Sequence, residues 1–116
     1  MINIKEVNLL KRNIEYYVTS SGEKPFIKWL EKLDRKTRII VTNYVDRLAD
    51  GGTTKNLKPL KDGVYEIKIF YGPGLRVYFA EDGEKVILLL LGGDKKSQNS
   101  DIKKAKEYWR DYAQKK

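Results

Sequence analysis

Three observations in the sequence predict an α+β fold in which an antiparallel sheet carries helices chiefly on one face. Two runs alternate apolar and polar residues across a Gly-Pro-Gly break in GVYEIKIFYGPGLRVYF, Gly63 to Phe79. Alternation with period two on either side of a turn is the signature of a hairpin with one buried side. Other stretches repeat apolar residues at helical spacing. Between the hairpin and the last of these lies VILLLLG, the nearly continuous apolar run expected of a strand covered on both faces.

Taken in order, Ile14 to Thr19 (IEYYVT) reads as a first strand, followed by the turn-like SSG. Pro25 suits the first turn of a helix in which Phe26, Trp29, Leu30 and Leu33 fall on one stripe. Asp34 is the expected N-cap of a second helix, where Ile40, Tyr44 and Leu48 recur every four residues until Gly51-Gly52 stop it. TTKNLKPLKDG then forms a basic, irregular connector with Lys55, Lys58 and Lys61, all expected to be solvated. The hairpin follows, then a strand over Lys85 to Leu91, the loop GGDKKSQNSD, and a closing helix from Ser100 or Asp101. Ile102, Ala105, Trp109 and Tyr112 share one face of that helix. The order is β-α-α-β-β-β-α, which gives an α+β domain with an N-terminal strand, a two-helix hairpin, an antiparallel sheet and a C-terminal helix.

Tyr65, Ile67, Ile69, Leu75, Val77 and Phe79 make the apolar side of the hairpin, leaving Glu66, Lys68, Arg76 and Tyr78 on the other, expected to be partly open. Two registers keep both apolar sets together. One sets Lys68 opposite Arg76 and Glu66 opposite Tyr78; the other sets Lys68 opposite Tyr78 and Arg76 opposite Phe70. Like charges directly opposed are destabilising, so the second is favoured unless an anion normally sits between the cations.

At 116 residues the expectation is one domain spanning 1–116. Lys and Arg number 24 against 16 acids, a formal charge of +8, which predicts attraction to polyanions or to an acidic protein partner. There is no cysteine and no histidine. Disulfides, thiolate nucleophiles, the usual neutral-pH base and the commonest metal ligand are thereby excluded. Neither a metal nor any other cofactor is expected. MINIKEVNLLKRN lacks the apolar core of a signal peptide, and VILLLLG is too short to span a bilayer; a cytoplasmic protein without membrane partners is expected.

Of the short motifs, GGDKKS lacks the Walker spacing of a second glycine directly before Lys-Ser, and GPGLRV lacks the third glycine of a dinucleotide fingerprint. GGDKKSQ still places two glycines and two lysines between a strand and a helix, where backbone N–H groups and cations can converge on an anion. Glu66 is either a cross-strand partner for a cation or a proton acceptor. Tyr78, on the polar face, is free to stack on a base or exchange a proton. Trp29 and Trp109 lie on apolar stripes and read as core.

WLEKLD, RLADGG, KPLKDGVYEIKIFYGPGLRVYF and ILLLLGGDKKSQNSDIKKAKEYW together resemble the RelE/ParE toxin superfamily, specifically its HigB-like branch, the addiction module killer proteins. The resemblance covers about residues 14 to 113 and is most specific from Lys58 to Ile102. It implies a RelE-like fold and the toxin of a type II toxin–antitoxin system that enters the ribosome and cuts mRNA, so inhibiting translation. The alternative within the superfamily is a ParE-like poison of DNA gyrase, without nuclease activity. By position, the resemblance implies that Arg76 and Lys68 hold the scissile phosphate, with Glu66 or Tyr78 moving the proton. Lys58, Lys61, Lys95 and Lys96 are the expected RNA-binding cations. It further implies a cognate antitoxin, typically a helix-turn-helix DNA-binding protein, beside the ribosome and mRNA. The sequence departs from the pattern at Ile67-Lys68, where many relatives have Leu-Arg, and in lacking the histidines of some HigB toxins.

Overall fold

The computed structural model describes residues 11–52 and 56–116. Lys55 and most of the N-terminal stretch read above for a signal sequence lie outside the described residues. The elements are β1 (Asn13–Tyr16), α1 (Pro25–Glu31), α2 (Arg35–Ala49), β2 (Leu57–Pro59), β3 (Val64–Ile69), β4 (Leu75–Asp82), β5 (Val86–Asp94) and α3 (Gln98–Gln114). The α+β class and the order of the long elements are as expected. One strand is added, because the connector contributes β2.

Strand order in the sheet is β1-β5-β4-β3-β2. The pairs β2–β3, β3–β4 and β4–β5 are antiparallel, but β1 runs parallel to β5, with Asn13 opposite Val86 and Tyr16 opposite Leu89. The sheet is therefore mixed. β2 escaped the sequence reading because Pro59 demotes a run from strand status; here Pro59 sits on the edge strand, where a missing N–H costs no ladder bond. β1 stops at Tyr16, short of the expected Thr19, because the chain then turns, with Gly22 in the left-handed region and its N–H bonded to the Thr19 carbonyl.

The helical hairpin covers one face. Pro25 opens α1 and Phe26 is buried. Asp34 stands at the N-cap of α2, where its carboxylate accepts from the Thr37 hydroxyl and is held below the usual range chiefly by that bond. At the other end, Gly51 adopts φ +83°, its N–H bonds Leu48 O at 3.1 Å, and the Gly52 N–H bonds Arg47 O at 3.0 Å. That paired pattern is the Schellman stop that only glycine enters cheaply. The buried stripe of α2 is Val41, Val45 and Leu48, with the expected Ile40 and Tyr44 packed at its margin. These residues meet Ile67, Ile69, Leu75, Val77, Phe79, Ile87 and Leu89 from the sheet. Each fully buried side chain of this size contributes about 1.5–3 kcal/mol relative to exposure.

The opposite face is not open, contrary to expectation. α3 lies across it, and Ala105, Ile102, Trp109 and Tyr112 pack on Val64, Tyr78, Ala80, Leu88 and Leu90. β5 is thus buried on both sides, as its sequence implied. Tyr17 and Tyr112 pin the helix further: the Tyr17 hydroxyl donates to Asp111 and that of Tyr112 to Asp82, both at 2.6 Å. No helix among the described residues is long and apolar enough to cross a membrane.

Candidate functional site

The sheet end nearest the β3–β4 turn gathers the polar residues. In the observed register Lys68 stands opposite Arg76 and Glu66 opposite Tyr78, while Arg76 also faces Gly93 of β5. The register favoured on like-charge grounds is therefore overturned. Its physical objection is met by where the side chains go. Arg76 turns toward Glu66, its Nε 3.6 Å from Glu66 Oε1, and its Nη1 donates to the Gly74 carbonyl at 3.1 Å. Lys68 turns the other way, its Nζ resting 4.8 Å from the centre of the Phe70 ring.

Burial divides the predicted set. Glu66 and Arg76 are each 4% exposed and Tyr78 is wholly buried, whereas Lys68 is half-buried. The expected stacking of Tyr78 on a base is not available in this arrangement, because α3 occupies that side of the ring. Burial, and then the charge of Glu66, raise the Tyr78 phenol above its ordinary value, so it stays protonated. Among the described residues neither Tyr78 Oη nor Arg76 Nε has a hydrogen-bond partner.

What seals this end is a set of residues the sequence reading passed over. α3 begins at Gln98, two to three residues earlier than expected, and the Gln98 amide donates to Glu66 Oε2 at 3.2 Å. Ser97 donates its hydroxyl to Asp101 Oδ2 at 2.5 Å, and the Ser97 N–H bonds Asp94 Oδ1 at 3.1 Å. Burial, partly offset by the Ser97 bond, raises the Asp101 carboxyl above its usual range. The two glycines of GGDKKSQ are steric rather than turn-forming. A Cβ on Gly92 would lie 2.1 Å from the Trp29 ring, and one on Gly93 would lie 1.9 Å from Asp101 Oδ2. The legible signal was the spacing Ser97 to Asp101, one helical turn, directly after two glycines.

Of the four lysines expected to bind RNA, Lys95 and Lys96 are exposed and, with Pro73 and Asp94, line a depression of about 560 Å³ between the β3–β4 turn and the β5–α3 loop. Lys58 is exposed on β2, opposite Glu66. Lys61 lies at the far end of β3, in a turn where Lys61 and Asp62 adopt φ +72° and +56° and Gly63 sits against Trp109. Lys95 and Lys96 thus share a rim beside the β3–β4 turn, Lys68 is turned onto Phe70, and Lys61 lies at the other end of β3. Among the described residues no group of three or more carboxylates could hold a metal ion.

The family described as Phage derived protein Gp49-like (DUF891) matches residues 28–110. The chain belongs to the Gp49-like family. Its matched segment runs from within α1 into α3, so it contains the α1–α2 hairpin from Lys28 onward, β2 to β5, and the residues that seal the polar end. An uncharacterized protein of Haemophilus influenzae is 37% identical over 82 residues, 70% of this chain and 82% of that one. The Gp49-like family is the addiction-module killer, RelE-like toxin family. Membership is consistent with a toxin of a toxin–antitoxin system and implies a cognate antitoxin as partner.

Proposed function

We propose that this Gp49-like protein is a HigB-like toxin of a type II system that acts in the cytoplasm as a ribosome-dependent mRNA endoribonuclease. The observation that carries the reading is the register of the hairpin, which sets Lys68 directly opposite Arg76 with Lys95 and Lys96 on the adjoining rim. With no phosphate present the two side chains turn apart, toward Glu66 and Phe70; an RNA phosphate would draw both back to one anion. RNA supplies its own nucleophile in the 2′-hydroxyl, so a chain without histidine can promote cleavage by orienting that group and stabilising the charge that develops on phosphorus. In this scheme Arg76 and Lys68 stabilise charge and Glu66 is the proton acceptor once Arg76 swings from it to phosphate. Tyr78, sealed beneath α3, keeps its proton and exchanges none with RNA while that helix is docked. Lys58, Lys95 and Lys96 would hold the flanking backbone; Lys61 is too remote from Lys68 to join them on the same phosphates.

A second reading has its own support. Glu66 and Tyr78 are buried, and Glu66 is engaged by both Arg76 and Gln98, which suits a ParE-like gyrase poison whose cations only bind. Toe-printing of a translated mRNA beside a gyrase supercoiling assay separates the two. Codon-linked cuts with unaffected gyrase are expected; gyrase-dependent DNA breaks with intact mRNA would replace the first reading by the second.

The antitoxin is proposed to be a helix-turn-helix DNA-binding protein, and its place on the toxin is open to direct test. Lys68→Glu with Lys95→Glu and Lys96→Glu, none of them buried, abolishes the complex if the antitoxin covers the cationic end. Retained tight binding would put the antitoxin on the helical side.

A further inference from the structure

Phe70 is the most exposed large apolar side chain among the described residues, at 66%. A single exposed apolar residue is ordinary on a protein surface, so exposure alone assigns nothing. Three further facts set this ring apart. Its loop is fixed: the Tyr71 N–H bonds Ile69 O at 2.9 Å, the Gly74 N–H bonds Tyr71 O at 3.2 Å, and the Tyr71 side chain packs against the apolar core. The ring is therefore carried on an anchored turn. Lys68 lies over it at 4.8 Å, a cation–π contact that orients the ring. Beyond Pro73 in the same turn, Lys95 and Lys96 border the neighbouring depression.

An oriented, solvent-facing aromatic ring amid cations is the arrangement with which proteins hold single-stranded nucleic acid, the ring taking a base and the cations its phosphates. We propose that Phe70 is a base-stacking residue that seats one unpaired RNA base next to the phosphate held by Lys68. This rests on the RNA-cutting function proposed above and adds to it the group that positions the strand. An acidic protein segment would also satisfy the lysines, but it has no flat π-face to match the ring.

The test compares binding of a single-stranded oligoadenylate with that of an abasic ribose-phosphate oligomer of the same length. Base–aromatic stacking lost to alanine corresponds to about a 5- to 140-fold weakening. Phe70→Ala should weaken the oligoadenylate complex by that factor, leave the abasic complex unchanged, and keep the wild-type melting temperature. Phe70→Trp should restore affinity. The salt dependence should be unaltered in Phe70→Ala, while Lys68→Ala lowers its slope by about 0.7. Equal weakening of both oligomers, weakening of neither, or no RNA affinity in the wild type would overturn the assignment. Unchanged RNA affinity with a weakened grip on a polyglutamate peptide would give the ring to an acidic partner instead. Ribosome-dependent mRNA cleavage is scored separately. Intact cleavage with an RNA affinity indifferent to Phe70 removes the stacking role alone, whereas absent wild-type cleavage removes the parent reading whatever the oligomers do.

Discussion

On the face under α1 and α2 the strands present Ile67, Ile69, Val77, Phe79, Ile87 and Leu89 to an apolar layer of helix side chains, while under α3 the same strands present Glu66, Lys68, Arg76 and Tyr78. The two faces differ in how much of their burial is apolar. Under α1 and α2 every contact adds to stability. Under α3 an ion pair is taken out of water, and its partners offset little of the cost of their own desolvation. The second face has its own apolar cluster in its far half, where Val64, Ala80, Leu88 and Leu90 pack on Ile102, Ala105 and Trp109. A single helix therefore spans a core at one end and a charged cluster at the other.

The contrast breaks most sharply at Arg76. Arg76→Ala strands the buried Glu66 carboxylate, so a loss of about 3–5 kcal/mol is expected, together with roughly a 100- to 1000-fold loss of activity if Arg76 stabilises phosphate charge. The two effects come apart in a double variant. Arg76→Met with Glu66→Leu should recover most of the stability by chemical denaturation but none of the growth inhibition. A stable double variant with wild-type toxicity would show that the pair is structural only.

Gly92 and Gly93 compare the faces within one dipeptide. Gly92→Ala drives a methyl into the rigid Trp29 ring, and Gly93→Ala drives one into the Asp101 carboxylate. Overpacking costs about 1–3 kcal/mol, with about 4 °C in melting temperature for each kcal/mol in a chain of this size. The Gly92 variant should lose more, because a carboxylate can rotate away and a packed indole cannot. The Gly93 variant should lose activity out of proportion to its stability, since shifting Asp101 moves the turn that carries Gln98. Equal losses of stability and activity in both variants would mean that the two faces respond as one body.

The smallest effect is a pH dependence. The Asp101 carboxyl is raised by burial, so the folded chain holds its proton more tightly than the unfolded chain does. Its favourable contribution is present in acid and is lost as pH rises through the folded value. Asp101→Asn stays neutral, and its stability relative to wild type should climb as pH rises from near the unfolded carboxyl value upward. A difference that stays flat with pH would mean that Asp101 titrates as it does in the unfolded chain.

How far the sequence carried this picture depends on which force governed each part. The apolar side of the hairpin, Tyr65 to Phe79, was legible because alternation reports burial directly, and Gly51-Gly52 announced their stop correctly. The register was misjudged because pairwise charge repulsion assumes side chains that stay where the strand points them. Arg76 and Lys68 instead turn apart, toward Glu66 and Phe70. The open face was misjudged because α3 reaches back to Gln98, and nothing in the local pattern shows that a glutamine will meet a glutamate 32 positions away. Propensity is local; a helix laid across a sheet is not.

The parallel pairing of β1 with β5 has a consequence for the life of the chain. Asn13 finds its partner only when Val86 has been made, and α3 closes the second face later still. Contacts so distant in sequence are slow to form, and at roughly 5–20 residues per second of synthesis the nascent chain spends several seconds with no complete sheet. Glu66 and Arg76 have no helix above them throughout that interval. The cationic end is therefore assembled after the rest of the sheet, and a partner that intercepts the chain before α3 docks would meet an unfinished surface.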